Sequence, residues 1–200
     1  MPPGKITQKK RIDFQDLMLY RVHEILLVAS PYDAFILEED GRLTEQILHE
    51  YIGMNFNYAP RVWQANSAKA ALEMLSKRKL DIVIVMMRIA DMNPLSFGLK
   101  VKKMYPRKPV ILLAFDESEI KQLSEEALQN SVDRVFLWSG NANVFPAIIK
   151  QIEDRRNSKR DILEGDVRAI SLVEDTSRYY SLMLPFIYRE IMYHTKHLVG

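Results

Sequence analysis

Two adjacent carboxylates, Glu174 and Asp175, close the apolar run Ile170-Ser-Leu-Val173 and are the clearest candidates for holding a divalent cation. Mg²⁺ demands hard oxygen donors in a near-octahedral shell, and an acidic pair at a strand end can begin one. With no partner aspartate in this chain, the pair amounts to half a site. His194 and His197 stand at i, i+3 on a helical stretch, where two imidazoles can start a metal site, yet no third ligand accompanies them. Asp91 and the pair Asp116-Glu117 follow short apolar runs and read as loop acids. Cysteine is absent, which excludes thiolate metal sites and disulfides. No GxGxxG, Walker, HExxH or GxSxG motif occurs. A nucleotide or flavin cradle after the first apolar run would need glycine, whereas Ser30-Pro31-Tyr32-Asp33 has none and carries an acid.

The elements that would position these groups follow from periodicity. Short β-branched runs at Glu24–Ala29, Arg61–Gln64, Asp81–Met87, Val110–Ala114 and Arg134–Leu137 alternate with longer amphipathic stretches. Three of them are almost continuously apolar, as strands buried on both faces must be. Ile36, Leu43, Ile47 and Tyr51 share one helical face; Ala68, Leu72 and Leu75 share another, after a cap at Asn66 or Ser67. Leu95, Leu99, Lys102 and Met104 define a weaker helix stopped by Pro106. Asp116 to Gln129 reads as a fourth helix and Asn143 to Asp154 as a fifth. Five such units predict an α/β, flavodoxin-like, doubly wound parallel five-stranded sheet of order 2-1-3-4-5, with its crevice at the carboxyl ends of strands one and three. Phe14, Leu17 and Met18 predict a short helix before the first strand. Arg168–Val173 is strand-like and leads into a helix from about Thr176 to Lys196. The division expected is an extension over 1–21, a domain over 22–157, a linker over 158–167 and a βα extension over 168–200.

The run Asp81-Ile-Val-Ile-Val-Met86-Met87-Arg-Ile-Ala-Asp91-Met-Asn-Pro-Leu95 resembles the third strand and following loop of a two-component response-regulator receiver domain, and the likeness covers roughly residues 22 to 157. A working receiver holds an acidic pair after strand one, a phosphoacceptor aspartate after strand three, a hydroxyl after strand four and a lysine after strand five. These positions fall here on Ala29 and Ser30, on Met86, on Ala114 and on Trp138; a one-residue slip would put Ser139 at the last. A thioether accepts no phosphoryl group, and alanine with methionine cannot hold magnesium. The resemblance therefore implies a pseudo-receiver, a non-enzymatic signalling or regulatory module acting by protein–protein contact outside the usual phosphorelay chemistry. Asp91 is the candidate for a displaced phosphoacceptor. Met86 and Trp138 would plug the vacated pocket, or Met86, Met87, Met92 and Phe115 would form a patch for a partner.

Ile170-Ser-Leu-Val173-Glu174-Asp175 repeats Ile25-Leu-Leu-Val28-Ala29-Ser30, so 168–200 reads as the opening of a second receiver, and the chain as the front of a longer protein. The runs Phe14-Gln-Asp-Leu-Met and Tyr32-Asp-Ala-Phe-Ile-Leu-Glu-Glu-Asp-Gly-Arg-Leu43 are similar to the amino-terminal tandem receivers of bacterial phosphoenolpyruvate synthase or pyruvate phosphate dikinase-like proteins. That likeness offers the alternative of a docking or regulatory fragment of a phosphotransferase. It would place Mg²⁺, if anywhere, at Glu174 and Asp175 of a complete second receiver. A net charge of +2 argues against nucleic acid or membrane as partner, and Arg155-Arg156 to Lys159-Arg160 reads as a solvated helix end. No apolar run approaches the roughly 18 residues of a membrane span, and a cytoplasmic setting is expected. The apolar tail over 168–200 must be buried somewhere, on the first domain or in a homodimer.

Overall fold

The computed structural model describes residues 19–38, 43–53, 59–165 and 169–199. Strands β1 (Glu24–Val28), β2 (Arg61–Ala65), β3 (Ile82–Met86), β4 (Val110–Ala114) and β5 (Arg134–Leu137) form one parallel sheet of order β2-β1-β3-β4-β5, as the sequence predicts. The helices are α1 (Pro31–Glu38), α2 (Leu43–Gly53), α3 (Ala68–Lys77), α4 (Pro94–Met104), α5 (Glu117–Lys121), α6 (Glu125–Ser131), α7 (Val144–Gly165) and α8 (Ser177–Val199).

Strand alternation sorts the apolar residues into two layers. Ile25, Leu27, Ile84, Met86, Leu113 and Phe136 meet α2, α7 and α8 on one side of the sheet. Leu26, Val28, Val83, Val85 and Leu112 meet α3 and α4 on the other. Every residue of β3 and β4 is buried, because helices cover both faces. Gly98 of α4 allows a close helix–helix approach: a Cβ there would lie 2.5 Å from the Ser131 carbonyl oxygen of α6.

Several local expectations change. The single helix over Asp116–Gln129 is two, since Asp116 caps α5 and Ser124 caps α6 with their side chains. In α4 Leu95 is buried as expected, with Phe97, Gly98 and Val101, while Leu99 and Met104 are exposed. Ile36 lies on α1, and Leu43, Ile47 and Tyr51 on α2. α7 runs through residues 158–165, so most of the segment expected as linker is helix. The expected amino-terminal helix, with Phe14, Leu17 and Met18, falls outside the described residues, as does Arg168.

Residues 169–173 form no strand. Ile170 and Val173 are exposed, and only Leu172 leans on the core. A lone strand needs a ladder to satisfy its backbone, and this segment pairs with neither edge strand of the sheet. α8, by contrast, docks on the first domain. It covers the edge strand β5, whose Leu137 N–H donates to Ser181 Oγ at 2.8 Å, and the Phe136 and Tyr180 rings meet at 5.7 Å. Further along, the Tyr188 hydroxyl donates to Asp154 of α7 at 2.9 Å.

The segment entering β1 is also tied to α7. Tyr20 N–H donates to Asn157 Oδ1, and Asn157 Nδ2 donates to the Tyr20 carbonyl, both at 2.9 Å. Val22 N–H donates to Glu153 Oε1 at 2.8 Å. The other Glu153 oxygen meets buried Lys150 at 2.9 Å, so the interior charges are paired and hydrogen-bonded.

Candidate functional site

The strand order reverses between β1 and β3, and there the loops after β1, β3 and β4 converge at the carboxyl edge of the sheet. The residues expected from the sequence are brought together here. Ala29, Met86 and Ala114 are buried at successive strand ends, and Trp138, following β5, is nearly so. Met86 has no exposed surface. Trp138 shares its apolar cluster, meets the Phe145 ring edge-on at 6.0 Å, and donates its backbone N–H to the Ala114 carbonyl at 2.8 Å. Ser139 is exposed beyond it.

Pleating separates the four residues of the alternative partner patch. Met86 and Phe115 belong to the α2/α7 layer, and Met87 and Met92 lean on the α3/α4 layer. The four do not form one surface patch, since Met86 is sealed inside.

A group not anticipated from the sequence occupies the crevice rim. The Ser30 hydroxyl caps α1, accepting the Asp33 N–H at 3.0 Å, and the Ser30 N–H donates to the Arg88 carbonyl at 2.9 Å. Arg88 Nε then donates to Asp33 Oδ1 at 3.1 Å. The Asp33 side chain is 1% exposed. Burial raises its carboxyl above the ordinary value, opposed by the Arg88 charge and the Ser30 hydroxyl. The guanidinium also approaches Glu119 at 3.9 Å, and Glu119 Oε2 accepts the Phe115 N–H at 2.9 Å. The rings of Tyr32 and Phe115 flank the guanidinium, each 5.8 Å from it. One arginine thereby ties the loops after β1, β3 and β4. The sequence signal was the Ser30-Pro-Tyr-Asp33 capping spacing; the pairing of Asp33 with Arg88 is long-range and carried no local mark.

The Arg88 tie has a measurable consequence. Arg88→Ala leaves the Asp33 carboxylate buried without its cation. The expected loss is about 2 kcal/mol near neutral pH, below the roughly 3–5 kcal/mol of fully enclosed pairs, because water reaches the guanidinium. A carboxyl with a raised folded pKa gains folded-state stability as the pH falls toward that pKa, so the deficit should shrink on acidification. Urea melts of both proteins at several pH values test this; a deficit independent of pH would break the assignment.

Asp91, expected as the candidate displaced phosphoacceptor, is engaged as a helix cap. Its two oxygens cap α3 from a neighbouring loop, taking the Ala68 N–H at 2.6 Å and the Lys69 N–H at 3.0 Å, beside the Ser67 cap. The backbone hydrogen bonds from Lys69, with a smaller contribution from Ala68, hold its carboxyl below the ordinary value. Stability from a depressed carboxyl is present above its unfolded pKa of about 4 and disappears as the pH falls through the lower folded value. Asp91→Ala should therefore lower Tm at about pH 7 and match the parent near about pH 2. An equal deficit at both would refute the cap.

The remaining candidates stay apart. Glu174 accepts the Thr176 N–H at 2.9 Å, and Asp175 takes the Thr176 hydroxyl at 3.1 Å, so both serve the start of α8. His194 lies near Glu190 at 3.7 Å, and the His197 side chain falls outside the described residues. No group of three or more metal-ligating side chains occurs among the described residues. No helix among them is long and apolar enough to cross a membrane.

No protein-family model and no curated protein matches this chain. Its fold is similar to that of the signal receiver domain of an HD domain-containing protein from Pseudomonas fluorescens Pf-5, with a TM-score of 0.51 and 20% identity over 72% of this chain and 95% of that one. It is also similar to a CheY-like response regulator receiver domain protein from Methanospirillum hungatei JF-1, with a TM-score of 0.50 and 20% identity over 69% and 98% of the two chains. At this identity the likeness establishes a shared fold, the CheY-like sheet with its flanking helices.

Proposed function

We propose that this chain is a non-catalytic signal-transduction module, a receiver fold that regulates by protein–protein contact and takes no phosphoryl group at the usual position. The observation that carries this reading is the sealing of Met86 and Ala114 in the core, with the Arg88–Asp33 pair at the rim. A receiver site works by gathering uncompensated carboxylates that need a metal and then a phosphoryl group. Here the converging loops hold one buried carboxylate, Asp33, and Arg88 already pairs with it. Such a domain holds its loops in one arrangement without an external charge.

The test is direct. Incubation with acetyl phosphate or beryllofluoride and Mg²⁺ should leave the intact mass and the amide spectrum unchanged. A stoichiometric phosphoprotein, or a saturable magnesium-dependent shift centred on Asp91, would overturn the reading.

A further inference from the structure

The opposite, amino end of the sheet holds a recess of about 690 Å³, lined by the residues that enter β1, β3 and β4 and by α7. Lys79, Arg107, Lys108 and Arg156 border it beside the carboxylate of Asp81, the one acid among its described lining residues, and Arg21 and His23 also line it. That carboxylate is itself engaged, accepting the backbone N–H groups of His23 and Glu24 at 2.8 and 3.0 Å.

Two of the cations are held in place. The Arg156 guanidinium lies over the Tyr20 ring, 4.2 Å from its centroid, and donates to the Arg107 carbonyl at 2.6 Å. Lys108 donates to the Leu80 carbonyl and sits 5.9 Å from the Tyr105 ring. Burial is the main cause that lowers the Lys108 ammonium pKa, with the charges of Arg156 and Lys79 adding to it against the pull of Asp81. Four cations gathered around one acid give the recess a positive potential that attracts an anion. Pinned guanidinium and ammonium groups suit phosphate oxygens, which take several charge-assisted hydrogen bonds at once. The volume matches a small-molecule site, and the walls are concave with apolar surface from Leu19 and Met104.

We infer that this recess binds the di- or triphosphate group of a small molecule. The inference stands apart from the proposed function, since it concerns the end of the sheet remote from Met86. It also gives Arg156 a place in a site, where the sequence suggested only a solvated helix end.

Calorimetry on the full chain should compare pyrophosphate, ADP and sulfate at matched ionic strength. Pyrophosphate should bind at least about tenfold more tightly than sulfate, which lacks the linked second phosphate. The double variant Lys79→Gln/Arg107→Gln alters two exposed side chains and should weaken pyrophosphate by about tenfold or more while melting like the parent. If ADP binds about tenfold more tightly than pyrophosphate, a nucleoside is the source of the phosphates and its base lies on the recess wall. Equal affinities would mean that the diphosphate alone is recognised. Either outcome supports the site. Pyrophosphate and ADP binding no better than sulfate, or unchanged binding in a folded double variant, would overturn it.

Discussion

Met86→Asp, the substitution that places a carboxylate at the end of β3, should destabilise the protein by about 5 kcal/mol or more near neutral pH. Met86 is fully buried among Ala29, Leu113 and Trp138, so the new group enters an apolar cluster. It would lose the packing of a methionine and would also have to hold a proton. Forcing an aspartate with a free pKa near 4 to stay neutral at pH 7 costs about 4 kcal/mol. Domains of this size have only about 5–15 kcal/mol in total, so much of the variant should be unfolded or insoluble. Met86→Leu, which keeps the volume, should cost less than about 1.5 kcal/mol. Denaturant melts compare the pair, and the aspartate deficit should shrink as the pH falls. Phosphorylation should stay absent, because Ala29 and Ser30 supply no carboxylate for magnesium and Ala114 no hydroxyl. A stable, readily labelled Met86→Asp protein would show that one substitution suffices to restore the site.

Trp138→Ala should lower stability by about 3–5 kcal/mol, the usual consequence of emptying a buried aromatic position. Its ring packs edge-on against Phe145, and the backbone bond to Ala114 survives the change, so the loss reports the side chain alone. Trp138→Phe should recover part of it. A loss under about 1 kcal/mol would mean that the indole contributes no core packing. The same melts would then disfavour the plugged-pocket account of Met86.

The parallel sheet was legible because β3 and β4 are buried on both faces and so read as unbroken apolar runs. Their bounds differ by a residue or less from those expected. Helical faces were harder. α4 buries Leu95, Phe97 and Val101 around a glycine that allows close approach to α6, and a periodicity count found Leu95 but favoured the exposed Leu99 and Met104. The segment 168–173 misled for a different reason. Alternating apolar residues describe a strand only when a neighbouring ladder exists, and no count along a single chain supplies that neighbour. At the site, Ala29, Met86 and Ala114 were legible as apolar strand ends, whereas Arg88 and Asp33 were not legible as a pair. The cations of the amino-end recess are scattered from Arg21 to Arg156, and only folding collects them. Asp91 looked like a solvated acid because its partners, the first amides of α3, lie in another unit.

The bonds joining residues 20–22 to Glu153 and Asn157 set an order of events during synthesis. The interior face of β1 is finished only when α7 has left the ribosome, since that helix supplies both the apolar cover and the acceptors for Tyr20 and Val22. Contacts of such long sequence separation make folding slow and leave apolar strands exposed while they wait. The nascent first strand thus keeps its apolar face uncovered until nearly the whole sheet has been translated. Substitutions at Glu153 or Asn157 should then reduce the yield of folded protein in cells more than they reduce the equilibrium stability of purified material.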